Sequence, residues 1–381
     1  MAGGSLEEIR LYLRQQPVML ALLAGLVVIF FLLVTGLSRA YQGQRQSLGS
    51  RWFSRGVADL QAQRFDSAVT EFRSALLYSR DNYAYQLNLA EALIGLKRTG
   101  EASSYLVNLW DRQPEDGIVN LELARIAVQK GQTEQALRYY HNAIYAAWST
   151  GQEDKRREAR LELIEFLLST DAKAQAQAEL IALEENLGED PSQQERVGDL
   201  FLRAQDYEHA LGAYRLSLKA ERDNGAALAG AGLAAFQLGR YPQAQRYLQA
   251  AVEENAGNAL IADRLKTTEL VLGMDPFRRQ ISVAQRHKIV VEAFETAGQR
   301  LQACSAARSS ALPTATQTSL ASSWAKMKPG MTEAELRRNP DLVEAGMDLV
   351  FEIERETGAT CGAPSGADAA LLLIAKLHEG S

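Results

Sequence analysis

Small residues return at a fixed interval through the middle of this chain, and that interval limits the folds open to it. Number a unit so that Gly232 is its eighth position. Small side chains then stand at positions 8 and 20 as Gly56 and Ala68, Ala90 and Ala102, Ala124 and Ala136, Gly198 and Ala210, and Gly232 and Ala244. The step is 34 residues without a gap in two blocks: units from 49, 83 and 117, and units from 191 and 225. Position 24 carries a large side chain, namely Phe72, Leu106, Tyr140, Tyr214 or Leu248. A single short helix pair cannot bury its own apolar face, so successive pairs must stack. The expected fold is all-α.

In these residues the chain resembles the tetratricopeptide repeat family, whose units are helix–turn–helix modules of about 34 residues. The resemblance covers 49–258 as five clear units and a looser helix pair at 151–190. That pair departs from the pattern in length, and its expected packing positions are Ala159, Phe166, Ala174 and Leu180. Positions 8 and 20 are expected to face each other, where anything larger than alanine would force the helices apart. Gly95, Gly131 and Gly239 fall near the end of a first helix, where a left-handed residue stops it at little cost. Pro242 suits the start of a second helix, where no backbone donor is needed.

The resemblance also implies a function. Family members bind peptides or proteins on a concave surface lined by positions 2, 5, 9, 12 and 13 of the first helices. Carried onto this chain, those positions give Glu91, Arg125, Gln129, Glu195, Asp199 and Arg203 as polar candidates. The family's clamp for a partner's C-terminal carboxylate needs Lys at position 5 and Asn at position 9. This chain has Phe53 and Val57, Leu87 and Glu91, Leu121 and Arg125, or Glu195 and Asp199 there, so that mode is not expected.

Ahead of the repeats, residues 15–38 carry no charge, and Val18–Leu37 is almost wholly apolar. Twenty residues make about 30 Å of helix, enough to cross the hydrocarbon core of a bilayer. This reads as a single transmembrane helix at 17–38. The competing reading is a cleaved signal peptide, with Ser38-Arg39-Ala40 as a loose cleavage site, but such segments have shorter apolar cores. Residues 1–16 form a tail in which Leu6, Ile9 and Leu13 share a helical face, so an interfacial helix ending at Pro17 is one reading.

Beyond the repeats, 259–308 reads as capping helices. Asp275-Pro276 marks a helix start, and Phe277, Ile281, Ala284, Val291, Phe294 and Leu301 form a stripe. Residues 309–323, rich in Ser, Thr and Ala, read as a linker. The segment 324–381 reads as three short helices, opened by Thr332, by Asn339-Pro340 and by Asp368. Its apolar run Leu371–Leu377 is expected to dock on the array, with the concave face as one candidate place. Cys304 and Cys361 are the chain's two cysteines. A disulfide between them would tie this segment to the array and would require an oxidising compartment.

Several function classes find no support. The 381 residues carry a net charge of −6, which offers no global field for nucleic acid. There is no P-loop, GxSxG elbow, CxxC or metal-ligand cluster, so neither catalysis nor a cofactor is expected. The reading is a membrane-anchored adaptor that holds a protein partner at the bilayer. Two alternatives are a structural subunit of a membrane complex and a self-inhibited module whose C-terminal helices fill the groove. Arg39, Arg45, Arg51 and Arg55 after the span favour a cytoplasmic body. A Cys304–Cys361 bond would favour the exported side.

Overall fold

Each helix in the repeat region begins and ends on a local signal that the chain reuses. The structure is a computed structural model describing residues 5–146, 148, 151–185, 187–188, 190–255, 257–307 and 315–379. It forms two units, Met1–Phe166 and Leu167–Ser381. Among the described residues every regular element is helical.

The first unit opens with α1 (Ser5–Gln61), 57 residues long. Then come α2 (Phe65–Tyr78), α3 (Tyr83–Gly95), α4 (Thr99–Arg112), α5 (Gly117–Gln129) and α6 (Thr133–Tyr145), each packed on its predecessor. α7 (Glu153–Ser169) straddles the boundary. The helix α1 passes through Pro17 without interruption, so the break expected there is absent. Residues 1–4, and the side chains of Leu6, Ile9 and Leu13, lie outside what is described. Every large apolar side chain from Met19 to Leu37 is more than half exposed. By length and composition this is the one described helix able to cross a membrane.

First helices are capped by a short polar residue just before they start. Asn82 accepts from the Tyr85 amide and Asp116 from the Val119 amide; in the second unit Asp190, Asn224 and Asn258 do the same for α9, α11 and α13. Each cap satisfies a helix-end donor that would otherwise have no partner. The turns between paired helices also repeat. Gln63, Lys97, Gly131, Asp171, Gln205 and Gly239 all have φ between 57° and 70°. Their spacing is 34 residues except between Gly131 and Asp171, where it is 40. The looser pair therefore returns to the common interval. Its extra residues are taken up by a longer join after α6 and an early start to α7.

Two expectations about the repeats need correction, at Gly95 and Ala174. Gly95 is not a left-handed stop, because it lies inside α3 and Lys97 takes that conformation. Gly95 is small because a Cβ there would sit 2.5 Å from the Phe65 ring. Position 8 also packs against position 24 of its own unit. A Cβ on Gly56 would meet Phe72 at 2.6 Å, one on Gly198 would meet Tyr214 at 2.9 Å, and one on Gly232 would meet Leu248 at 2.6 Å. In the looser pair Ala174 is exposed, and Ala176, two residues on, is buried in its place.

The second unit contains α8 (Lys173–Glu184), α9 (Pro191–Arg203), α10 (Tyr207–Ala220), α11 (Gly225–Gln237), α12 (Tyr241–Glu254) and α13 (Ala259–Met274). A terminal bundle follows: α14 (Val283–Ala307), α15 (Ala315–Met327), α16 (Glu333–Arg338), α17 (Asp341–Thr360) and α18 (Gly366–Leu377). Contrary to expectation, Asp275-Pro276 does not start a helix. Asp275 accepts from the Phe277 amide in a turn, and α14 begins eight residues later. Phe277 and Ile281 therefore fall outside the helical stripe, and Ala284 is exposed. The stripe of α14 is Val290, Ala293, Phe294, Ala297 and Leu301.

The expected linker at 309–323 is also corrected. Residues 309–314 lie outside what is described, but 315–323 belong to α15, whose Leu320 and Trp324 are buried. Trp324 stacks on Phe294 with centroids 5.7 Å apart and donates to the Phe294 carbonyl at 3.1 Å. Serine-rich composition hid an amphipathic helix. The last helix, α18, buries Leu371 and Ile374 and packs along α13. Cys304 near the end of α14 and Cys361 just after α17 have Cα atoms 5.7 Å apart and are joined as a disulfide.

Candidate protein-binding surface

The polar positions carried over from the repeat pattern fall into two groups, one in each unit. In the first unit, α5 presents Arg125 one residue beyond the buried Ala124. Its guanidinium is fully engaged. Nε and Nη2 donate to Glu162 of α7 at 3.0 and 2.6 Å, Nη2 also reaches Glu158 at 2.8 Å, and Nη1 donates to Glu122 at 2.5 Å. Glu158 and Glu162 are one helical turn apart, so both carboxylates meet one cation. Tyr140 of α6 donates to Glu162 at 3.4 Å.

Burial raises the pKa of Glu122 above the usual carboxylate range, against the lowering pull of Arg125. Burial does the same at Glu91, opposed by Lys155 and Arg125. For Arg125 burial works against the charge, but the hydrogen bond and charge of Glu162 hold its pKa above the ordinary value. The cluster is a cation held within an excess of carboxylates. Gln129, one turn further along α5, is exposed.

In the second unit, α9 carries the other three candidates. Asp199 accepts the Tyr214 hydroxyl at 2.5 Å, and Glu195 accepts from Asn224 at 2.7 Å. Burial, followed by the hydrogen bond to Asp199, raises the Tyr214 pKa far above its normal value. Arg203 lies at the end of the helix and is exposed. These partners come from α10 and the α10–α11 join, so Asp199 and Glu195 are positioned by the repeats themselves.

Sequence reasoning missed Glu122, Glu158 and Glu162, and read Tyr140 only as a packing residue. Glu122 is at position 6, outside the family's binding positions. Glu158 and Glu162 sit in the helix pair whose register the longer join obscured, though their spacing of four was a visible signal.

Two sequence models of one family match the chain: a tetratricopeptide repeat model over residues 59–116 and a second over 197–259. The second segment includes the pairs with the Gly198–Tyr214 and Gly232–Leu248 contacts described above. Over these two segments the chain matches tetratricopeptide repeats.

Solved structures similar to this chain include YrrB, described as a tetratricopeptide protein with an unusual peptide-binding site. It is 14% identical, with a TM-score of 0.42 over 50% of this chain and 95% of that one. PilF of Pseudomonas aeruginosa is 16% identical, with a TM-score of 0.43 over 57% and 96%. The C-terminal part of a tetratricopeptide repeat protein from Cytophaga hutchinsonii is 14% identical, with a TM-score of 0.46 over 62% and 93%. No curated protein matches the sequence significantly. Proteins with tetratricopeptide repeats are generally non-catalytic interaction modules.

Proposed function

We propose that this protein is a non-catalytic scaffold anchored in a membrane by residues 17–38, which binds a protein partner through the polar positions of its first helices. One observation carries the reading. A single helix, α1, continues from an apolar stretch that none of the described residues covers into the first repeat, where Gly56 packs against Phe72.

The test has two arms. Alkaline extraction of membranes should leave the full chain in the lipid fraction. Photo-crosslinkers at Gln129 and Arg203 should then capture one stoichiometric protein, while crosslinkers at exposed second-helix positions such as Ser104 should not. Equal capture at both sets would overturn the binding surface. Exchanging residues 17–38 for an unrelated span should spare binding in a scaffold and abolish it in a structural subunit of a membrane complex.

The Cys304–Cys361 pairing supports a body on the exported side of the membrane. The four arginines after the span support the cytoplasmic alternative. Alkylating acid-quenched cells with and without reductant separates the two: a protected pair indicates export, and free thiols favour the cytoplasm.

A further inference from the structure

From Ile9 to Ala58 the chain has no acidic residue, and after the apolar run it places Arg39, Arg45, Arg51 and Arg55 on α1. Side chains on a helix lean toward its N-terminus, which on this stretch is the direction of the apolar run. Arg45 follows that rule. Its guanidinium lies 6.0 Å from the ring centroid of Tyr41, one turn nearer the apolar run.

The same guanidinium donates to the Leu77 carbonyl at 3.1 Å. This carbonyl belongs to the last turn of α2, where no further helical amide follows to pair with it. The C-terminal end of α2 is thus held against α1 on the side of the apolar run. Tyr78 backs this placement, with its Cβ 3.2 Å from where a Cβ on Gly49 would stand. The arrangement leaves Leu77 78% exposed and Tyr41 63% exposed. An exposed leucine beside an arginine and a tyrosine is a costly group to turn toward water, and a suitable one for a lipid headgroup layer.

Distance agrees. Tyr41 and Arg45 follow Leu37 by about 6 and about 12 Å along the helix axis. The polar layer on each side of the hydrocarbon core is roughly 5–7 Å thick, and spanning helices tilt by about 20° on average. A lean toward α2 brings Leu77 down to that layer while Arg39 and Arg45 reach phosphates, which guanidinium groups bind in paired hydrogen bonds.

We propose that Arg39, Tyr41, Arg45 and Leu77 form a docking surface for anionic lipid headgroups, which seats the first repeat on the membrane at a fixed lean. The inference rests on residues 17–38 being a span. The docking surface gives the first unit a defined orientation, so that the inner positions of its repeats are presented at one angle to the bilayer.

The test uses the full chain in vesicles of phosphatidylcholine with and without phosphatidylglycerol. Since both native cysteines are paired, single nitroxide labels go at Leu77→Cys, at Leu26→Cys within the span and at Lys288→Cys as a distant control. Collision with oxygen and with a water-soluble nickel complex reports depth. The Leu77 label should lie in the headgroup layer in anionic vesicles. It should shift to bulk water in neutral vesicles, or when Arg39→Gln and Arg45→Gln are combined, with the Leu26 and Lys288 labels unchanged. A Leu77 label in water in both lipids, with Leu26 in lipid, overturns the docking surface and keeps the span. A Leu77 label shielded from both reagents in neutral vesicles also overturns it, since protein would then be covering the leucine. A Leu26 label in water removes the span and the docking surface together.

Discussion

Arg125 of α5 and Glu162 of α7 form a paired hydrogen bond across 37 residues of chain, with donor–acceptor distances of 3.0 and 2.6 Å. Glu122 depends on that same arginine and has a side chain only 9% exposed. Arg125→Met therefore leaves a buried carboxylate without its cation. It should cost the first unit roughly 1–3 kcal/mol, and Glu122→Gln added to it should recover part of the loss. Urea unfolding of the single and double variants measures both. An Arg125→Met protein as stable as the parent would show that the cluster is not a structural unit.

Glu354 of α17 is fully buried with neither oxygen hydrogen-bonded, and Arg300 approaches it only to 3.6 Å. Burial, with the nearby charge of Asp368, pushes its pKa up to about 8, against the pull of Arg300. A carboxyl whose folded pKa is raised contributes stability at low pH that is lost as pH climbs. The terminal bundle should thus lose stability between the unfolded carboxylate value and pH 8, by at most about 1.4 kcal/mol per pH unit, and then level off. Glu354→Gln should flatten that slope. Hydrogen exchange of α17 at pH 5, 7 and 9 follows it directly, and a parental slope in the variant would assign the effect to another group.

The bond between Cys304 and Cys361 closes a loop with a sequence separation of 57. Loop-closure entropy of that size corresponds to about 4 kcal/mol. Cys304→Ser with Cys361→Ser should lower the stability of α14–α18 by up to that amount while leaving the first unit unchanged. Proteolysis of the reduced protein should cut near α17 first. Uniform loss across the chain would contradict a local staple.

Gly131 has φ +68° and open space where a Cβ would stand. Gly131→Ala therefore tests backbone strain without a packing change, and should cost roughly 1 kcal/mol. Gly198 is the opposite case, with an ordinary φ and the Tyr214 ring 2.9 Å from a Cβ. Gly198→Leu should overpack the pair by roughly 1–3 kcal/mol and break the bond from Tyr214 to Asp199. Thermal melts of the two variants separate strain from crowding.

Gly56, Gly198 and Gly232 show how much the sequence alone carried. The 34-residue interval within each block, as from Gly198 to Gly232, determined the helix pairs, their order and the class of fold, because interval and side-chain size are properties of the chain itself. The length of the apolar run 18–37 is likewise a property of the chain. The tertiary structure decided which side chains crowd each glycine, namely Phe72, Tyr214 and Leu248. Contact partners depend on helix rotation, and a repeat interval says nothing about rotation. Packing also defines α15, whose serine-rich sequence becomes amphipathic only once Trp324 has Phe294 to stack on. The meeting of Arg125 with Glu158 and Glu162 was set in the same way. Those residues lie one helix pair apart, and only the packing of α5 beside α7 makes them neighbours.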